Sequence, residues 1–382
     1  MTRHGALIQD LTPGLSCTLP RQTEEPVQRV RFCTTFDFAR LAFAVSGSGP
    51  KLAYAPHWLT HIEQDQGCEA VPPWHAELSK RYAVLRFDQR GCGLSDREVE
   101  AISFEAWVRD LECVIDAARY ERFALLGNSQ GAAIALEYAA RHPERVTHLV
   151  LYGSYARGRL KREPTPQERE DAELQVKLIE LGWAKGDPSY RDVFSRQFMP
   201  SATLEQLAAL SELERMSASP AMAARIVRAF YEIDVRAAAS RIRCPTLVLH
   251  ARGDRRVPLA EGRLLASLIP EARFVTLDSD NHILLPNEPA WRRYFDEVGA
   301  FLPRATSGAP LALDTLTQRE IEILERIAQG LDNQQIAAQL ALSEKTVRNH
   351  ITRIFDKLQV ESRSRAIVLA REAGLGENRA IS

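Results

Sequence analysis

F-A-L-L-G-N-S-Q-G-A-A-I-A-L-E-Y-A, residues 123–139, is the stretch that decides how most of this chain folds. Its apolar start, Phe123 to Leu126, reads as a short strand buried on both faces, and Ala132 to Ala140 reads as a helix. Between them Gly127 and Gly131 bracket Ser129 in the G-x-S-x-G spacing. A serine so placed sits on a strained turn, and the glycines leave room for strand and helix to approach closely. The hydroxyl then projects above the sheet edge, beside the positive end of a helix. Gly and Ser are common, so the spacing alone is weak evidence. The strand before it and the small-residue helix after it give it weight.

Working outward, strands alternate with helices on both sides of this elbow. Val27 to Cys33 and Leu41 to Val45 read as an edge hairpin. Lys51 to Ala55, Ala83 to Phe87, Val146 to Tyr152, Pro245 to His250 and Arg273 to Leu277 read as further strands. Glu77 to Tyr82, Phe104 to Arg119, Leu259 to Leu268 and Glu288 to Phe301 read as helices. This alternation predicts an α/β fold, a mostly parallel sheet covered on both faces. D-Q-R-G-C-G-L-S-D, residues 88–96, carries two glycines and predicts a tight loop.

The rhythm changes over 154–236, which is helix-like throughout and strongly charged at its start; it is expected to cap the sheet. Met199, Met216 and Met222 fall in it, and thioethers suit an adaptable pocket or, more commonly, core filling. Residues 1–26 are polar and proline-bearing and predict a loose arm. Residues 303–315 are aperiodic and carry Pro, Gly and Ser, as a linker does.

Beyond the linker lies a small all-α unit, expected over 316–378. Thr317 and Glu320 form a capping box, with Ile323, Leu324 and Ile327 inward and Gly330 ending the helix. Asp332 or Asn333 caps a short second helix. Ser343 caps a third, with Val347, Ile351, Ile354 and Leu358 on one face, and 362–371 supplies a fourth. Two short helices joined by a tight turn make a helix-turn-helix.

With 382 residues the chain suits two domains, and 45% hydrophobic with 26% charged residues describes a globular protein. A net charge of -1 argues against polyanion binding by the whole chain, so any nucleic-acid surface is local. The six cysteines form no C-x-x-C pair and read as reduced thiols of a cytoplasmic protein, without a metal site. No apolar run reaches the length of a membrane span, and the first ten residues lack a signal peptide's apolar segment.

A serine nucleophile needs a base, and the base needs an acid to orient it. Asp254, in H-A-R-G-D-R-R-V-P, and His282, in D-S-D-N-H-I-L-L-P, follow Ser129 in the order Ser, Asp, His. Each lies just past a strand, where a side chain reaches the sheet's C-terminal edge. Ser129, Asp254 and His282 are therefore the candidate catalytic residues. His57, His61, His142, His148 and His250 fit the base role less well and read as structural. No cofactor is implied.

On these motifs residues 27–302 resemble an α/β-hydrolase. L-A-Y-A-P-H-W-L-T-H-I-E and R-F-D-Q-R-G-C-G-L-S-D-R resemble hydrolase-like sensor domains joined to bacterial signalling outputs. The resemblance implies oxyanion donors at the backbone N–H groups of Trp58 and Gln130. Pro56-His57-Trp58 departs from the usual His-Gly or Pro-Gly, and losing a donor costs about 2.7–4 kcal/mol of transition-state stabilisation. Slow or absent turnover is thus one of two outcomes the sequence leaves open.

Residues 316–378 resemble the LuxR-type (GerE-like) DNA-binding domain. Leu316, Thr317, Arg319, Glu320, Gly330, Ile336, Ser343, Thr346, Val347, His350, Lys357 and Val360 are among the matching positions. Charge agrees: 316–342 holds two basic and four acidic residues, whereas 343–371 holds seven basic and three acidic. On the third helix Arg348 and Asn349 suit guanine and adenine edges, with Thr352 beside them. Lys345, Thr346, Arg353 and Lys357 suit phosphates. The expected partners are double-stranded DNA, a small-molecule ligand and a second copy of the chain in a homodimer. Two functions fit: a transcriptional regulator that senses a small organic ligand, or a working hydrolase of an ester, lactone or amide with an appended DNA-binding domain.

Overall fold

In the computed structural model the described residues are 29–66, 74–183, 189–303, 316–358, 360, 362–372 and 375–376. The arm expected over 1–26 and, Pro303 apart, the linker expected over 303–315 lie outside them.

Eight strands form one sheet: β1 Arg31–Thr34, β2 Arg40–Ser46, β3 Lys51–Ala55, β4 Ala83–Phe87, β5 Phe123–Asn128, β6 Val146–Tyr152, β7 Thr246–Ala251 and β8 Arg273–Leu277. Their order is β1-β2-β4-β3-β5-β6-β7-β8. The hairpin β1–β2 and the pair β2–β4 are antiparallel, and every other pairing is parallel. Alternate residues of the central strands enter two separate cores. Ala53, Leu125, Leu151 and Val248 join one, while Leu52, Leu126, Val150 and Leu249 join the other. Burial on both faces explains why these strands read as unbroken apolar runs.

Helices α1 Trp74–Ser79, α2 Phe104–Ala117 and α3 Gln130–Arg141 cross between the early strands. After β6 come α4 Pro166–Gly182, α5 Ser189–Phe198, α6 Leu204–Ser217, α7 Pro220–Tyr231 and the short α8 Arg236–Ala239. Capping boxes at Thr165/Glu168 and Thr203/Gln206 set the starts of α4 and α6. Met199 and Met222 are buried in the core, the commoner of the two uses expected for them. Helices α9 Leu259–Leu268 and α10 Pro289–Phe301 complete this part of the chain.

The C-terminal unit holds α11 Gln318–Ala328, α12 Asn333–Leu340, α13 Glu344–Leu358 and α14 Arg363–Glu372 around their own core of Leu316, Ile323, Leu324, Ile327, Ile336, Val347 and Ile354. Asp332 is the residue that caps α12. The turn into α13 passes through Ala341 in the left-handed conformation, at φ 52°. The capping box at Thr317 also reaches the third helix, because Lys357 Nζ donates to Glu320 Oε2 at 2.6 Å. That hydrogen bond, with the Thr317 N–H, holds the Glu320 carboxyl down to about 2.

Lys357→Met should therefore expose α11 to faster opening, by about 1–2 kcal/mol in native-state hydrogen exchange over 317–328. The Glu320 contribution should be complete above pH about 4.5 and fade as pH falls towards about 2, since its folded value is depressed. Unchanged protection in Lys357→Met would mean that this pair does not hold the helix.

Candidate active site and nucleic-acid interface

Ser129 follows β5 and caps α3 in a conformation that L-residues avoid, φ 52° and ψ -122°. Its N–H donates to the Tyr152 carbonyl at the end of β6, 2.8 Å away, which ties the elbow to the neighbouring strand. A side chain at Gly131 would put a Cβ 2.6 Å from the Ala55 carbonyl oxygen and 2.7 Å from that of Pro56. Only glycine lets α3 start so close to the loop after β3.

Asp254 and His282 meet at this edge. His282 Nδ1 lies 2.6 Å from Asp254 Oδ2, and both residues are buried. The other carboxylate oxygen accepts from the N–H groups of Arg256 and Val257, at 2.8 and 2.9 Å. Burial alone would raise the Asp254 carboxyl; the adjoining His282 and these hydrogen bonds outweigh it and hold the group below its ordinary range. With Nδ1 engaged, Nε2 is the nitrogen left to face a serine. Ser129 and His282 line one cavity of about 100 Å3, together with Tyr54, His57, Trp58 and Leu210. The backbone of His282 is held from the helical layer above, because the Phe198 carbonyl accepts from its N–H at 2.8 Å.

Gln130 is the first residue of α3, so its N–H is among the donors the helix cannot satisfy internally. The loop after β3, which holds the candidate donor Trp58, is braced by residues the sequence did not single out. Gln89, in the 88–96 loop, donates to the carbonyls of His57 and Trp58 and accepts from the Gln130 side chain at 3.3 Å. The Trp58 indole donates to the buried Glu214 of α6 at 2.9 Å and packs against Trp183, Phe194 and Phe230. These partners lie 31 and 156 positions from Trp58, beyond any local motif. His57, expected to be structural, instead faces the cavity; burial, then the charges of His282 and Arg86, lower its imidazole to about 4.

In the C-terminal unit one face of α13 is exposed and carries Lys345, Arg348, Asn349, Thr352 and Arg353. Thr346 is half-buried, and its N–H and hydroxyl are engaged by Ser343. Arg348 lies 3.4 Å from Glu344, an exposed contact of little energy. Lys357, expected at a phosphate, is exposed and also pairs with Glu320. Arg363 and Arg371 likewise donate to the carbonyls of Leu331 and Ala328. On α14 Ala370 is fully buried and Ile367 packs on the core, so of the three residues expected to be free for self-contact only Val368 is exposed.

Comparison with known proteins agrees with this architecture. Residues 76–290, more than half of the chain, match the family described as "Serine aminopeptidase, S33". The chain belongs to this family of α/β-hydrolases. Residues 314–370 match "Bacterial regulatory proteins, luxR family", so a LuxR-type DNA-binding domain is fused to the hydrolase domain. A putative carbamate hydrolase RutD of Azorhizobium caulinodans is 31% identical over 215 residues, 54% of this chain and 76% of that protein. A pyrrolizixenacetamide deacetylase of Xenorhabdus hominickii is 27% identical over 262 residues, 65% of this chain and 91% of its own. The enol-lactonase of Burkholderia xenovorans superposes with a TM-score of 0.57 at 22% identity, covering 71% of this chain and 99% of that one; this likeness is one of fold. Among the described residues no helix is long and apolar enough to cross a membrane.

Gln89→Leu removes the brace between the two candidate oxyanion donors while leaving Ser129, Asp254 and His282 in place. It should slow labelling of Ser129 by a fluorophosphonate probe by about tenfold or more, a fraction of what losing a donor outright costs. Labelling at the wild-type rate would show that Gln89 does not position these donors.

Proposed function

We propose that this protein is a ligand-responsive transcriptional regulator, in which a small organic molecule occupies the hydrolase domain and alters DNA binding by the LuxR-type unit. The fusion itself carries the reading. A DNA-binding domain localises its passenger to a few chromosomal sites, which suits a receptor and serves no bulk metabolic reaction. On this reading Arg348 and Asn349 contact base edges, Lys345, Thr346, Arg353 and Lys357 contact phosphate and Thr352 lies beside them; the protein works in the cytoplasm as a homodimer. One helix-turn-helix reads few base pairs, and two copies on a two-fold site supply the rest. A ligand shifts the operator affinity only by binding one subunit arrangement better than another.

A second reading is favoured by one observation, the Asp254–His282 pair opening onto the cavity that Ser129 lines. Under it Ser129 is the nucleophile, His282 the base, Asp254 its orienting acid, and the N–H groups of Trp58 and Gln130 stabilise the oxyanion during ester, lactone or amide hydrolysis. The relatives named as a carbamate hydrolase and a deacetylase are compatible with such chemistry. A receptor that consumes its ligand reconciles both readings.

Footprinting of the full chain on genomic fragments should reveal a protected, two-fold related site. Arg348→Ala should lose about 1–3 kcal/mol at that site and relax its base preference. No protected fragment under any condition would end the regulator reading. A fluorophosphonate should label the wild type and not Ser129→Ala if the domain is an enzyme; a wild type that stays unlabelled, with the probe shown to enter the cavity, leaves a receptor alone.

A further inference from the structure

A second cavity, of about 320 Å3, also borders Ser129 and Trp58 and differs in chemistry from the first. Four guanidinium groups line it, from Arg159, Arg162, Arg255 and Arg256, against the single carboxylate of Glu168. That carboxylate already accepts from the N–H and hydroxyl of Thr165, at 2.8 and 2.9 Å, in the cap of α4. Arg162 donates through Nε to the Arg157 carbonyl, and Glu261, its nearest carboxylate at 3.9 Å, is held more closely by Arg157 at 2.8 Å.

Arg256 is the most telling of the four. Its Nη1 has only neutral acceptors, Gln175 Oε1 at 3.1 Å and Gln197 Oε1 at 3.3 Å, and its Nη2 is buried without a partner among the described residues. Four rings surround the guanidinium, with centroids at 5.0 Å for Phe194, 5.1 Å for Phe198, 5.7 Å for Phe230 and 6.0 Å for Tyr231. The rings hold the cation in place but cannot neutralise it. An uncompensated cation in such a setting is costly, and a planar guanidinium fork is best satisfied by a carboxylate. The backbone N–H of the same residue donates to Asp254, so the fork hangs from the backbone that fixes the candidate acid.

We propose that the ligand of the hydrolase domain is a small organic carboxylate, whose acid group docks on Arg256 in this cationic cavity while its remainder passes Ser129 towards the first cavity. The proposal rests on the reading that this domain binds a small molecule. It narrows that ligand to a molecule with a carboxylate at one end and a carbonyl function within reach of Ser129.

The test compares two probes that differ by one methyl group and the charge it masks, monomethyl glutarate and dimethyl glutarate, by thermal unfolding of the full chain over a concentration series. The wild type should half-saturate with the mono-acid at a concentration about tenfold or more below that for the diester, as expected for one charge-assisted contact. Arg256→Gln should bring the two within about twofold, chiefly by weakening the mono-acid. Arg256→Lys, which keeps charge but loses the fork, should fall between. Equal affinity in the wild type, a preference unchanged in Arg256→Gln, or tighter binding of methyl phosphate than of the mono-acid overturns the carboxylate assignment. The wild-type comparison decides even if a variant fails to fold. No saturable response to either ester overturns the ligand-binding reading together with this one. Loss of operator binding with the carboxylate preference intact overturns the regulator reading alone.

Discussion

The backbone at Ser129 is held at a positive φ that an L-residue adopts only under constraint, and the sheet and the site are built around supplying that constraint. Three things supply it. The Tyr152 carbonyl takes the serine N–H, β5 is locked between β3 and β6, and α3 is pressed against the loop after β3. The two flanking glycines make the press possible. A Cβ at Gly127 would lie 2.5 Å from the Gly131 carbonyl oxygen and 2.6 Å from Ala132 Cα. The same closeness brings the start of α3, with its unsatisfied N–H groups, next to Pro56, His57 and Trp58. Strain at one residue and the close approach of α3 to the loop after β3 are thus one geometric fact.

The helical layer contributes in a way that links binding to the candidate base. Its Phe198 carbonyl accepts from the N–H groups of both His282 and Ile283, and the Asn281 side chain accepts from Ser201 N–H at 3.1 Å. Glu214 of α6 meanwhile accepts from the Trp58 indole. Any displacement of α5 or α6 over a guest is therefore felt at the His282 loop and at the oxyanion loop together. Arg256 belongs to the same web, since its side chain meets Gln175 of α4 and Gln197 of α5 while its backbone meets Asp254. The anion proposed to dock on this guanidinium would therefore draw on two helices, α4 and α5, and on the candidate acid together. The two readings proposed above, receptor and enzyme, draw on the same set of contacts.

What the sequence made legible follows from which interactions are local. Lys51–Ala55, Ala83–Phe87, Val146–Tyr152, Leu259–Leu268 and Arg273–Leu277 coincide with their expected bounds, because burial on both faces or a clear helical period leaves little latitude. The capping box at Thr317 and the inward residues of α11 and α13 were likewise readable from spacing alone. The start of the first helix at Trp74, three residues before Glu77, was not. Trp74 is placed by ring contacts with Tyr152, Trp291 and Tyr294, which lie far along the chain. Gln89, Glu214 and Arg256 escaped for the same reason. A glutamine in a loop, a glutamate on a helix and an arginine after an aspartate carry no pattern; only the folded chain makes them partners of Trp58, Gln130 and the second cavity.

The C-terminal unit illustrates the limit of counting charge. Of the basic residues from Ser343 onwards, Lys357 holds the α11 cap, while Arg363 and Arg371 close carbonyls in and just after α11. Those three charges still add to the local field, but their forks and ammonium group are committed to holding the helices together. Lys345, Arg348 and Arg353 remain displayed on one face of α13, next to Asn349 and Thr352. On the regulator reading, the cations displayed on this helix add an electrostatic contribution to duplex binding that falls as salt rises. On that reading a second copy held at a fixed spacing supplies specificity that one helix-turn-helix lacks. On the same reading, that spacing is the quantity a ligand-dependent change in the hydrolase domain is best placed to control.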